Sequence, residues 1–236
     1  RYLARYDALT KIPNRTQFQH LLQQAIARAR RAGQGVAMLY IDMDRFKEVN
    51  DTFGHASGDR VLEVLTERLT AALSSDTVLG RLAGDEFALF VDMLPADATL
   101  AGEQVAQLAR TVLDTVGAAF HIGPQEVFLT VSIGVAFCPR DADNVIDLIR
   151  NADAAMYYSK QNGGNNCVTY SPQMNAAAVE RLMLKSKLAR AAERDELVVR
   201  YMPKVELTTG RIVAAEALLR WRLPGHGDIP PAQFIP

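Results

Sequence analysis

The chain has 236 residues, 49% of them hydrophobic and 22% charged, which is the balance of a globular protein long enough for one full domain and a remainder. Its formal charge of -1 excludes reliance on a broad basic surface, so nucleic acid is not expected as a partner and phosphate recognition must come from local cations. Only Cys138 and Cys167 are present, without metal-ligand spacing, which excludes a disulfide framework or zinc site, and no apolar run nears the roughly 18 residues of a membrane span.

Inert thiols point to a reducing compartment, so a cytoplasmic location is expected. The sequence opens at RYLARYDALT without Met, and an upstream sensor or membrane segment is expected in the parent protein.

In chain order, Pro13 disfavours the continuation of any preceding helix. Asn14 is then the expected N-cap, with Gln17 at the capping-box position. Phe18, Leu21, Leu22, Ala25 and Ile26 follow at helical spacing, arginines occupy the last turn and Gly33 is the stop. VAMLYIDMD is a short apolar run that predicts a buried strand carrying Asp42 and Asp44 to its C-terminal end. RFKEVNDTFGHASGD holds many turn formers, which predicts a short helical turn and a loop before the helix SGDRVLEVLTERLTAAL.

TVLGRLA and FALFVDML flank Gly84-Asp85-Glu86, so the acidic pair is predicted at the tip of a hairpin. Two readings of that tip stand side by side, ordinary Gly-Asp turn chemistry or a carboxylate site. A third helix is predicted over ADATLAGEQVAQLARTVLDTV, a strand over EVFLTVSIGVAF, and a fourth helix over NVIDLIRNADAAMYYSKQ, stopped by Asn162-Gly163-Gly164. CVTY is a candidate edge strand. This order predicts an α+β sandwich, a mainly antiparallel sheet flanked by helices, over residues 1–171. A charge-rich linker helix is predicted over 172–195. A hairpin over 196–236 then opens a second domain, whose roughly 40 residues are too few for a core of ordinary size.

If the strands bearing Asp42 and Asp85 are neighbours, two carboxylates face one cleft and repel unless protonated or bridged by a cation. Oxygen-only ligands favour Mg²⁺, which also binds substrate phosphates, and paired metals clamp in-line displacement at phosphorus. The alternative is that Asp42 and Asp44 merely solvate a strand end. Phe46, Phe53 and Phe87 are read as core.

Several motifs in one order then carry a resemblance. DALTKIPNR, IDMDRFKEVNDTFGHASGD, AGDEF and NADAAMYYSKQNGGNN together resemble the GGDEF, or diguanylate cyclase, family over residues 1–171. YMPK, EALLRW and IPPAQFIP resemble the start of an EAL domain, the cyclic di-GMP phosphodiesterase family. The resemblance implies an adenylyl/diguanylate cyclase-like fold. It also implies two domains meeting as a homodimer, each holding one GTP, to make cyclic di-GMP and pyrophosphate. It implies that Asp42, Asp85 and the carbonyl of Met43 hold Mg²⁺ (or Mn²⁺), and that Glu86 serves the metal or the developing 3′-oxyanion. Asn50 and Asp59 are implied to read guanine, and Lys47 and Lys160 to contact the triphosphate. An alternative reading keeps GTP as a regulatory ligand controlling an attached phosphodiesterase.

The sequence departs from the family at marked positions. Ala83 replaces the first glycine of the signature, harmless at negative φ and straining at positive φ. Gly164 stands where an arginine is usual, a loss of roughly ten- to a hundredfold in affinity for one charge-assisted bond. The inhibitory RxxD falls on Ser74 and Thr77, so product feedback through that site is not expected. In the EAL part, Glu216 matches a metal ligand and Arg220 a dinucleotide contact. Met202 replaces a glutamine, and the later metal ligands of that family are not in this chain, so phosphodiesterase activity is not expected of it.

Overall fold

The structure, a computed structural model, describes residues 5–234. It divides into two compact units, Arg1–Met174 and Asn175–Pro236. In the first, α1 (Arg15–Ala32) leads to β1 (Gly35–Met43), then α2 (Phe46–Phe53), α3 (His55–Ala72) and the hairpin β2 (Thr77–Ala83) and β3 (Glu86–Leu94). After α4 (Ala98–Gly117) come β4 (Phe120–Ile122), β5 (Gln125–Val127), β6 (Val131–Cys138), α5 (Val145–Gln161) and β7 (Cys167–Thr169). The main sheet has the order β2-β3-β1-β6-β7, antiparallel except for the last pair. That is the predicted α+β architecture.

β1 lies at the centre, and its near-continuous apolar run reflects cover on both faces. Odd-numbered Ala37, Leu39, Ile41 and Met43 join the core beneath α3 and α4, with Leu62, Leu65, Val105 and Val112. Even-numbered Val36, Met38 and Tyr40 join the core beneath α1 and α5, with Phe18, Leu22, Leu148 and Met156. Each fully buried Val, Leu, Ile, Phe or Met side chain among them contributes about 1.5–3 kcal/mol. Strand alternation therefore puts Asp42 on the α1/α5 face.

The α1 cap forms as predicted, with the Asn14 side chain accepting from Gln17 N at 3.0 Å. The reciprocal arm of the capping box is not made, because Asn14 N donates to the Arg5 carbonyl instead. The short helical turn and loop predicted over RFKEVNDTFGHASGD are corrected: Phe46–Phe53 form the two-turn helix α2, and α3 already begins at His55. Phe46, Val49 and Phe53 recur at helical spacing and pack into the core, which leaves Asp51 and Thr52 on the exposed side. EVFLTVSIGVAF is likewise not one strand. β5 turns back to pair with β4, and at Thr130 the backbone carbonyl accepts from Asp44 N, so the chain bends before β6 begins.

The second unit takes in all but the first three residues of α6 (Pro172–Leu188), then β8 (Leu197–Val205), β9 (Ile212–Leu223), β10 (Gly227–Ile229) and α7 (Pro231–Phe234), with sheet order β10-β9-β8. Leu184 of α6 and Ala191 pack with fully buried Trp221, Leu223, Ile229 and Phe234. The indole N–H donates to buried Glu196 at 3.0 Å.

Candidate active site

The hairpin tip is a two-residue turn, with Ala83 paired to Glu86 across Gly84-Asp85. Gly84 has φ +42° at the first central position, the place where a II′-type turn takes glycine. Ala83 is not among the described residues with positive φ, and it is exposed, so its methyl leaves the turn unstrained.

β3 pairs with β1 in the register Asp42↔Glu86. The two carboxylates therefore stand directly opposite on the same face, with Asp85 one residue before. Sequence reading brought Asp42 and Asp85 together only on the condition that their strands are neighbours, and β1 and β3 are.

Asp42 is only 8% exposed. Burial pushes its carboxyl up to about 6; Lys160 opposes that shift, and the charges of Asp85 and Glu86 add to it. Lys160, on the last turn of α5, forms an ion pair with Asp42 Oδ1. α5 reaches this position because it seats directly on Gly134 of β6, where a Cβ would come within 2.0 Å of the Ala152 carbonyl.

Glu86 is held by groups that sequence reading passed over. The Tyr40 hydroxyl donates to Glu86 Oε2 at 2.8 Å, and Arg15 Nη2 lies 3.9 Å from the same oxygen. Burial and the Glu86 charge drive the Tyr40 phenol well above its ordinary range. Asp153 of α5 is raised by burial and by Glu86, although part of its surface reaches solvent. The signal for Tyr40 was available, since it lies two residues before Asp42 and so shares its face.

A second set joins the tip to the opening segment. Arg81 donates through Nε to the Gly84 carbonyl at 2.8 Å and through Nη1 to Asp7 Oδ1 at 2.8 Å. Burial pushes the Asp7 carboxyl up, but bonds from Thr10 and Arg81 outweigh it and hold the group below its ordinary value. Asp44 is not a free carboxylate. It accepts from Thr130 Oγ1 and Ser132 Oγ, each at 2.6 Å, and from Asn165 N at 2.9 Å. Gly164 has φ +68°, and a Cβ there would stand 2.8 Å from Asp44 Oδ2.

α2 and α3 pack closely where Asn50 meets Gly58: a Cβ on Gly58 would stand 2.0 Å from Asn50 Oδ1, so a larger residue there would displace the Asn50 side chain. Asp59 is exposed, and Lys47 is exposed on the first turn of α2. Phe46 and Phe87 are buried and Phe53 packs against the same core, as expected. At the Ser74 and Thr77 positions the two hydroxyls pair with each other at 3.2 Å.

Among the described residues no three carboxylate, histidine or cysteine side chains converge as a complete metal cage. The donor set nevertheless fits a hard divalent cation. Asp42 is a nearly buried carboxylate beside two more, and a cation would relieve that repulsion while drawing its remaining oxygens from phosphate or backbone. The side chain of Met43 is buried in the core, which leaves only its carbonyl for such a role. Glu216 belongs to the second unit, where it faces Met202 on β8 and pairs with Lys204 at 3.6 Å. Arg220 donates to the adjacent Leu219 carbonyl.

The profile of the family described as "Diguanylate cyclase, GGDEF domain" matches residues 4–166, and that of the EAL domain matches residues 185–236. The chain is 42% identical over 235 residues to the bifunctional diguanylate cyclase/cyclic di-GMP phosphodiesterase MucR of Pseudomonas aeruginosa, covering 99% of this chain and 33% of that protein. It is 37% identical to the cyclic di-GMP phosphodiesterase PdeR of Escherichia coli, covering 100% of this chain and 34% of that protein. The chain thus spans about a third of the length of these curated relatives. Among solved structures, the GGDEF domain of YfiN (TpbB) from Pseudomonas aeruginosa matches with a TM-score of 0.67 and 32% identity, over 72% of this chain and 97% of that one.

Proposed function

This chain belongs to the diguanylate cyclase family of GGDEF domains, and from that premise we propose that its first unit condenses two GTP into cyclic di-GMP and pyrophosphate with Mg²⁺ or Mn²⁺. The observation that carries the reading is the Asp42↔Glu86 register, which gathers Asp42, Asp85 and Glu86 at one sheet edge beside Lys160. In each half-reaction a bond forms between the 3′-oxygen of one GTP and the α-phosphorus of the other. The bond to pyrophosphate breaks, and the 3′-hydroxyl proton leaves to solvent. A divalent cation, when bound, supplies Lewis-acid stabilisation of the phosphate oxygens. Asp42 and Asp85 would hold it, with the Met43 carbonyl assisting.

The residues of the chain do the rest. Asn50 and Asp59 offer an amide and a carboxylate to the guanine edge. Lys47 and Lys160 offer point charges to the triphosphate; Lys160, now paired with Asp42, would be free to turn to phosphate if Asp42 held a cation. Glu86 presents a negative oxygen to the metal and the attacking 3′-hydroxyl. Because one unit holds one GTP, two copies must meet. Cyclic di-GMP production from GTP and Mg²⁺ should therefore rise faster than linearly with protein concentration. No product at any concentration would refute the reading.

A second reading, a GTP-binding module that regulates an attached phosphodiesterase, is favoured by Gly164. At φ +68° Gly164 carries no side chain where the family usually has an arginine, and a Cβ there would require the Asp44 carboxylate to shift; relatives include a phosphodiesterase. A change in cyclic di-GMP hydrolysis by GTP, measured in a protein carrying a whole EAL domain, would support it. Cyclase turnover with no such change would remove it.

A further inference from the structure

Tyr40 sits on the buried face of β1 among Val36, Met38, Phe18 and Met156, and is 4% exposed. Packing at such a position asks only for an apolar ring. The hydroxyl is surplus to that need, and its hydrogen bond goes to Glu86 Oε2. Arg15, at the start of α1, approaches the same oxygen and also donates through Nε to the Leu82 carbonyl of the hairpin. Glu86 Oε1 has no partner among the described residues, and the side chain keeps 31% of its surface exposed. One oxygen of the carboxylate is thus tethered from the interior side by a short bond to a rigid, buried ring, and the other is left for a ligand.

We propose that Tyr40 is a positioning residue for the cyclase reaction, holding Glu86 Oε2 so that Oε1 is presented to the metal and the attacking hydroxyl. This rests on the cyclase reading above. The physical reason is one of orientation. A glutamate has three rotatable bonds, and a tether at one oxygen removes most of that freedom before substrate arrives. Tyr40 lies on a central strand fixed on both sides, so it is a stiffer anchor than a surface cation. The remaining charges around Glu86 (Asp42 opposite, Asp85 before it, and Asp153 and Lys160 from α5) would otherwise decide where the carboxylate points.

The test is a double-mutant cycle with Tyr40→Phe, which removes only the hydroxyl, and Glu86→Gln. Expected for Tyr40→Phe is a kcat lowered about tenfold, with the KM for GTP within about twofold and an unchanged thermal midpoint. The double variant should be no slower than Glu86→Gln alone. Unchanged kcat in Tyr40→Phe, a loss confined to KM or to the thermal midpoint, or a further tenfold loss in the double variant would each overturn the proposal.

Mn²⁺ affinity in the presence of a non-hydrolysable GTP analogue is measured on the same four proteins. It carries the cycle if wild-type turnover is absent, which counts against the cyclase reading alone, or if Glu86→Gln is too slow to follow. Weaker Mn²⁺ binding in Tyr40→Phe that vanishes in the Glu86→Gln background supports the tether. Equal binding in wild type and Tyr40→Phe, or additive losses, overturns it.

Discussion

The two units each carry a carboxylate that the family resemblance marks as a metal ligand, and the two sit in opposite environments. Asp42 ends a strand buried on both faces, 8% exposed, ion-paired to Lys160 and crowded by Asp85 and Glu86. Glu216 lies on β9, paired with a strand β8 that is exposed along most of its length, with its own side chain 45% exposed and ion-paired to Lys204. The difference teaches that a metal-ligand residue type needs neighbours to make a site. Burial and crowding give Asp42 a strong reason to bind a cation, whereas Glu216 stands within only the stretch, residues 185–236, that matches an EAL domain, in a chain spanning about a third of its relatives' length.

The largest effect that would sharpen this contrast is on turnover. Asp85→Ala or Asp42→Ala should lower cyclic di-GMP formation by about a thousandfold or more, by loss of metal-borne charge stabilisation. Glu216→Gln, measured in the same GTP assay, should leave the rate unchanged. A comparable loss on both sides would break the contrast.

Next in size is Gly58→Ala. Its Cβ would displace the side chain of Asn50, which is proposed to read guanine, so the KM for GTP should rise about tenfold with kcat nearly kept. Steady-state kinetics would check it, and a loss confined to kcat would point away from guanine recognition at Asn50.

A smaller effect is expected in the metal-free protein. The folded pKa of Asp42, about 6, lies above its ordinary value of 3.8. Its stability contribution is therefore fully present below about pH 4 and is lost as the pH rises through about 6. The loss should be on the order of 1–2 kcal/mol, allowing for partial solvent screening. Denaturant titrations between pH 4 and 7 should show this decline in the first unit and its disappearance in Asp42→Asn. No such slope is expected to change in Glu216→Gln.

The smallest effect belongs to Ala83→Gly. Ala83 is exposed and not in a positive-φ conformation, so restoring the family glycine should change turnover by no more than about threefold. A large gain would mean that phosphate must approach the backbone more closely than the free hairpin suggests.

Local sequence was sufficient wherever the deciding interactions were local. The cap at Asn14, the helices of periodic apolar residues, the hairpin turn at Gly84 and the Asn162-Gly163-Gly164 stop follow from propensity and spacing. It failed over α2, where packing of Phe46 and Val49 outweighed a run of turn formers, and over EVFLTVSIGVAF, where Thr130 was diverted to Asp44.

By itself, the sequence determined the identity of the carboxylates, the residues at motif positions and the class of the fold, because composition, period and motif order are properties of a string. Only the tertiary structure decided what each group touches. Tyr40 and Glu86 are separated by 46 residues, and Lys160 and Asp42 by 118. Asp44 meets Thr130 and Asn165 across similar distances in the chain. Those partners follow from the order β2-β3-β1-β6-β7 and from the registers that bury each face of β1. A register is fixed by the burial of a whole face at once, so no single stretch of residues contains it.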